Sequence, residues 1–161
     1  MSRLFLVLAL SGSTLIGCMR PPSPAEKFSD TVRHVAIAAR FGRLDVAMAH
    51  TRGKGRETFI EQHREWGKNI RVLDTTVSNV RMTDPEHATA YVDFSWMRMN
   101  EAIMHSTRIA QVWENQDGVG WVLQRESRVA GDFGLLGENV VQAPAQRRKD
   151  VHLPSKTIRA R

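Results

Sequence analysis

The stretch VWENQDGVGWVLQRES, residues 112–127, carries the strongest fold signal in the chain. Asp117-Gly118 stands there between two apolar pairs, Val112-Trp113 and Trp121-Val122. An Asp-Gly pair between alternating apolar residues is a strong signal for a β-hairpin, because glycine readily adopts the positive φ of a tight hairpin turn. The sequence therefore predicts two antiparallel strands that meet at this turn.

Alternation with a period of two continues toward the N-terminus and predicts two further strands. Residues 70–82 form the first, with a bulge near Asp74, where the alternation slips. The second follows a turn at Asp84-Pro85 and places one apolar set on its inner face, namely Ala88, Ala90, Val92, Phe94 and Trp96. The arms of the hairpin, residues 102–114 and 121–129, are the third and fourth strands.

Helical spacing precedes the strands. From Ala25 onward, apolar residues recur every three or four positions and indicate one buried helix face. Gly42 ends this helix, a short second helix starts at Leu44, and a third is predicted from Glu57 to Lys68 after a loop. Helices followed by a meander of strands predict an α+β fold, in which N-terminal helices pack on a curved antiparallel sheet of about four strands.

The order of these elements resembles the NTF2-like (SnoaL/ketosteroid-isomerase-like) superfamily between about Ala25 and Ala130. The break RFGRLD at residues 40–45 and an aromatic residue on each hairpin arm, Trp113 and Trp121, carry the resemblance. It implies a cone with a pocket between the sheet and the helices. Some members are isomerases or dehydratases and many only bind partners, so the fold alone does not decide the function. A cystatin-like or pilotin-like α+β domain is the alternative.

The first 17 residues have the pattern of a secretory signal peptide, with Arg3 before the apolar run LFLVLAL. This run is shorter than the about 20 residues that span a bilayer. Leu15-Ile16-Gly17-Cys18 resembles the lipobox of bacterial lipoproteins. The resemblance implies cleavage before Cys18, a diacylglyceryl group on its sulfur, and acylation of the new amino group with a fatty acid such as palmitate.

Cys18 is the only cysteine, so no disulfide can form within the chain. The alternative is a buried cysteine that happens to end a signal-like run. Met19 follows the cysteine where lipoproteins retained at the inner membrane of enterobacteria have Asp. By that family rule, the resemblance implies the outer membrane, with the protein facing the periplasm.

Charge and proline content divide the rest of the chain. Residues 18–27 are predicted to be a proline-rich linker, residues 28–140 the NTF2-like domain, and residues 141–161 a basic, disordered tail. The net charge of +6 lies mainly in the tail, because residues 147–161 hold six Lys or Arg and one Asp. A nucleic-acid-binding domain would carry its charge in a folded patch, so no nucleic-acid partner is expected. The tail suits anionic lipid or wall polymers, or is solvated without a partner.

Few residues suggest chemistry. Tyr91 and Asp93 share a strand face, as a tyrosine and a carboxylate base would, but the inward apolar set directs both outward unless a bulge intervenes. His63 is predicted to be a hydrogen-bonded core histidine. His105, with Asp74 or Arg108, is the first catalytic candidate to test. The histidine spacings match no zinc motif, so no metal or cofactor is predicted.

Apolar residues also occur on the outer face of the second strand. Tyr91, Met97 and Met99 are therefore candidates for an interface with a second copy or another envelope protein, unless they are scattered surface residues. The sequence favours a lipid-anchored envelope protein that acts as a non-catalytic binding or assembly module. The alternatives are a small-molecule enzyme of the isomerase or hydratase type, which would use the pocket, and a structural tether that acts through the tail.

Overall fold

A computed structural model describes residues 20–138 of the chain. Cys18 and its signal peptide, like the basic segment at residues 147–161, lie outside the described residues. Three helices precede four strands, in the order α1 (Pro24–Arg40), α2 (Leu44–Ala49), α3 (Gly53–Gln62), β1 (Ile70–Met82), β2 (His87–Arg98), β3 (Met104–Gln116) and β4 (Gly120–Gly131). The helices pack against one antiparallel sheet with the order β1-β2-β3-β4. The predicted α+β class is confirmed.

Helix α1 begins at Pro24 because Ser23 caps it. The Ser23 hydroxyl accepts a hydrogen bond from the Glu26 N–H, and the Glu26 carboxylate accepts one from the Ser23 N–H at 2.6 Å. This reciprocal pair is a capping box, and proline suits the first helical turn, where its missing N–H leaves no bond unmade. The predicted extended linker ran through Lys27, so the helix shortens it by four residues.

Helix α3 corrects the prediction of a loop followed by a helix from Glu57 to Lys68, since it begins at Gly53 and ends at Gln62. A side chain at Gly55 would lie 3.1 Å from the Gln124 carbonyl oxygen, so glycine lets this helix approach β4 closely. None of the helices in residues 20–138 is long and apolar enough to span a membrane.

The sheet follows the predicted alternation closely. Gln116 pairs with Gly120 around the Asp117-Gly118 turn, which confirms the hairpin. The register of β1 against β2 shifts between Val72 and Asp74, which confirms the bulge near Asp74. Every residue of the predicted inner set on β2 is buried, at most 2% exposed.

Aromatic residues join the helices to the sheet. The Phe28 ring of α1 lies 4.6 Å from the Trp121 ring and 6.0 Å from the Trp113 ring. At the other end of the core, the Trp66 indole N–H donates to the Leu135 carbonyl oxygen at 2.7 Å. The segment after β4, which the sequence pattern did not assign, thus closes the core with a fully buried leucine.

Candidate binding site

An open cavity of about 480 Å³ lies where α1 ends and β1 begins. Small-molecule sites in proteins have volumes of about 300 to 1,000 Å³. Its apolar wall comes from the end of α1 and the residue after it, the start of α2, the turn before β1, the start of β1 and the residue after β2. The residues that form it are Ala39, Phe41, Leu44, Trp66, Ile70, Val72 and Met99. This cavity is the candidate binding site.

Large apolar side chains are exposed at this end of the sheet. Phe41 is 72% exposed and Met99 is 60% exposed, although both line the cavity. Ile103, on the connection between β2 and β3, and Met104, the first residue of β3, are exposed to the same degree. We call these four residues the apolar end. Exposed apolar side chains in a group mark surfaces that a ligand or partner covers.

Among residues 20–138, two arginines are the only charged residues that line the cavity. The Arg40 guanidinium lies 3.2 Å from the Asp74 carboxylate in a half-exposed ion pair. Arg71 is exposed at the start of β1 and forms no ion pair within residues 20–138. The cavity therefore offers positive charge at the edge of an apolar wall.

A buried polar network lies behind the cavity. The Glu126 carboxylate accepts a hydrogen bond from the Gln111 amide at 2.7 Å, and its other oxygen lies 3.2 Å from His63 Nε2. The other His63 ring nitrogen is bonded to the Phe59 carbonyl oxygen at 2.8 Å. The three side chains are each at most 6% exposed. The prediction of a hydrogen-bonded core histidine at His63 is confirmed.

A second, much smaller cavity touches this network. It holds about 10 Å³ of free space and is lined by His63, Gln111 and Glu126. This is about the space that one water molecule requires. Ala39, Leu44 and Trp66 line both this space and the open cavity, so they separate the polar network from the binding site.

His105 occupies a different place from the one that a pocket residue would need. Its ring stacks on Trp96 at 4.4 Å, and its two nitrogens lie 3.4 Å from Glu101 and 3.5 Å from Asp132. It does not line the open cavity. Asp74 lies on β1, two strands away from His105 on β3, and it pairs instead with Arg40 of α1. The two predicted catalytic candidates are not brought together.

Arg108, the other predicted partner of His105, binds Asp93 on the outer face. Its guanidinium donates two hydrogen bonds to the Asp93 carboxylate, at 2.6 and 2.8 Å. These bonds hold the pKa of Asp93 below its ordinary value of 3.8. The predicted outward direction of Tyr91 and Asp93 agrees with the structure, because both alternate with the buried residues of β2.

The predicted interface residues divide between two surfaces. Tyr91 and Met97 lie half-buried on the outer sheet face, opposite Ala110 and Met104. Met99 lies beyond the end of β2 and lines the cavity instead. No group of three or more His, Cys, Asp or Glu residues in the described part of the chain is placed to hold a metal ion.

Sequence reasoning missed Phe41, Arg71 and Glu126. Phe41 follows a helix and Arg71 opens a strand, and no motif connects them. Glu126 points inward because the register of β4 against β3 shifts between the partners of Val112 and Trp113. This shift interrupts the alternation of inward and outward side chains along β4.

Comparison with protein families, curated proteins and solved structures finds no match for this chain.

Proposed function

We propose that this chain is a lipid-anchored protein of the bacterial cell envelope that binds a ligand or partner, without catalysis, at the open cavity and the apolar end. The observation that carries this function is the cavity itself. Its apolar wall is continuous with the exposed side chains of Phe41 and Met99, which a bound molecule would cover.

An NTF2-like cone is the architecture that we propose for the domain. Its support is the curved four-stranded meander, the three helices on one face, and a cavity between helices and strands. The anchor would be Cys18, which precedes the described residues and ends the sequence that resembles a lipobox. The outer membrane, with the domain in the periplasm, is the corresponding location.

Metabolic labelling with an alkyne analogue of palmitate tests the anchor. We expect the full chain produced in a Gram-negative bacterium to incorporate the label and to sediment with membranes, and Cys18→Ala to do neither. Met19→Asp is the matched control, since it should keep the label and move the protein from the outer to the inner membrane. Label retained in Cys18→Ala, or absent from the unaltered chain, would contradict the anchor.

Photocrosslinking in cells tests the binding surface. A benzophenone amino acid at Met99 is expected to give a discrete adduct, whereas the same group at Val119 gives none. Both positions are similarly exposed, but Val119 lies in the β3–β4 turn, away from the cavity. Equal adducts at both positions, or none at Met99, would contradict binding at the apolar end.

The buried network supports a second candidate, a small-molecule enzyme of the isomerase or hydratase type. A carboxylate and an imidazole lie 3.2 Å apart beside a space for one water, and three residues separate them from the open cavity. Native mass spectrometry of the full chain would identify any co-purified small molecule. An enzyme would convert that molecule and would lose this turnover in Glu126→Gln, whereas a binding module would leave the molecule unchanged.

A further inference from the structure

We infer that the open cavity binds a fatty acid, with its single acyl chain along the apolar wall and its carboxylate at Arg71 and Arg40. This inference rests on the binding function proposed for the same cavity. It follows from three properties of the described lining residues: the scarcity of polar side chains along the wall, the sign of the charge at the edge, and the volume.

Polar side chains along the wall are few. Among the described residues that line it, only Trp66 and the two arginines carry a hydrogen-bonding side chain, and the Trp66 indole N–H is bonded to the Leu135 carbonyl oxygen. A sugar or a nucleotide would lose its bonds to water along this wall without gaining others, which is costly. An acyl chain has no such groups, so it matches the wall.

The charge at the edge selects the head group. None of the described residues that line the cavity is acidic. Arg40 already pairs with Asp74 in solvent, whereas Arg71 has no such pair among the described residues. A guanidinium binds a carboxylate through two parallel hydrogen bonds. An anionic amphiphile is therefore favoured over a neutral or cationic one.

The volume suits a ligand with a single chain. The cavity of about 480 Å³ lies within the range of about 300 to 1,000 Å³ that small-molecule sites have. One acyl chain with its carboxylate is a ligand of this class. The end of a peptide would bring unpaired backbone amides against the apolar wall.

A photoactivatable palmitic acid tests the inference on isolated membranes that carry the full chain. We expect crosslinks in peptides that contain Phe41, Trp66 and Met99. Arg71→Gln should lower this labelling about tenfold, because a charged hydrogen bond to the head group is lost. The same variant should leave labelling by the corresponding fatty alcohol unchanged. The matched control is Arg125→Gln, an exposed arginine on β4 outside the cavity, which should change neither.

Each other outcome overturns the inference in a recognisable way. Equal labelling by the fatty acid and the fatty alcohol, or unaltered labelling in Arg71→Gln, would show that the charge of Arg71 does not select an anionic head group. If an unlabelled lysophospholipid reduced this labelling more than unlabelled palmitic acid did, the head group would be a phosphate. If the cavity is not labelled but a benzophenone at Met99 still captures a protein in cells, the fatty acid is wrong and the binding function stands. If both are absent, both fail.

Discussion

At Glu126, the neighbouring groups determine where the protons of the buried network lie. The Phe59 carbonyl oxygen only accepts, so the His63 nitrogen beside it carries a hydrogen. The other ring nitrogen then faces the Glu126 carboxylate at 3.2 Å. The Trp113 indole N–H donates to the Gln111 amide oxygen, which directs the Gln111 N–H toward Glu126. The hydrogen bonds from His63 to Phe59, from Trp113 to Gln111 and from Gln111 to Glu126 therefore each have a defined direction.

Removal of the Glu126 carboxylate should be costly. Glu126→Ala leaves the buried Gln111 amide and the facing nitrogen of His63 without their partner, so we expect the free energy of unfolding to fall by about 2 to 4 kcal/mol. Glu126→Gln should cost less, because an amide accepts from Gln111 and donates to His63. Urea unfolding of the full chain, followed by tryptophan fluorescence, measures both.

The matched control is Glu61→Ala. The Glu61 side chain is 71% exposed, and within residues 20–138 it forms an ion pair only with Arg64. This exposed pair should contribute less than about 0.5 kcal/mol. A loss in Glu126→Ala no larger than in Glu61→Ala, or an equal loss in Glu126→Gln, would contradict the ordered network.

On the outer face, Asp93 provides a test by pH. The hydrogen bonds from Arg108 lower the pKa of Asp93, so its ion pair stabilises the fold above the unfolded pKa of 3.8. That stabilisation is lost as the pH falls through the lower pKa of the folded state. Arg108→Gln should raise the pKa of Asp93, as measured by an NMR titration of its carboxyl carbon.

Asp45 is the internal control for that titration. Hydrogen bonds from Arg43 also lower the pKa of its carboxyl, and it does not contact Arg108. Its titration should therefore be the same in the unaltered chain and in Arg108→Gln. A pKa of Asp93 that does not change, or that changes together with that of Asp45, would contradict the assignment.

At the scale of the elements, Gly131 controls how β4 ends against β3. Its φ is +85°, and a methyl group there would overlap the Ser106 carbonyl oxygen and lie 2.9 Å from Thr107 Cα. Both contacts are with backbone, which cannot move aside without separating the strands. Gly131→Ala should therefore lower the free energy of unfolding by about 3 kcal/mol or more.

Gly118 separates the effect of φ from that of the contact. Its φ is +73°, but no atom lies within 4 Å of a methyl group built there. Gly118→Ala should cost only about 1 to 2 kcal/mol, the penalty for a left-handed backbone. Both variants are compared by urea unfolding of the full chain. Similar losses in the two would contradict the argument from close contact.

The elements differ in how far sequence predicts them. The strands and the hairpin are predictable because alternation and Asp-Gly act locally, and the structure confirms the inner face of β2. The start of α3 is not predictable in this way, because glycine in a sequence favours a loop. Only the position of β4 against Gly55 explains a glycine in this helix. Leu135 is likewise placed by a distant partner, the Trp66 indole.

The candidate site was less predictable than the fold for the same reason. His63 was predictable because it lies on the apolar side of a helix. The cavity takes residues from four separate segments, including Phe41, Arg71 and Met99, and none of them belongs to a local motif. Its existence depends on how α1 and the sheet meet.

For the whole molecule, α1 gives the domain two distinct ends. Pro24, at its start, lines the same surface depression as Val119 in the β3–β4 turn. Arg40, at its end, lines the cavity together with Met99. A helix of 17 residues is about 25 Å long. Because Cys18 precedes the start of α1, a lipid on that cysteine would hold the hairpin turn near the membrane and the cavity away from it.

Energy transfer to the membrane measures this orientation. In Val119→Cys and Met99→Cys, the introduced thiol alone would react with a donor dye, because Cys18 would be acylated. The two sites are similarly exposed, 53% and 60%, so labelling should be comparable. In vesicles with an acceptor-labelled lipid, we expect stronger transfer from position 119. Equal transfer, or stronger transfer from position 99, would contradict this orientation.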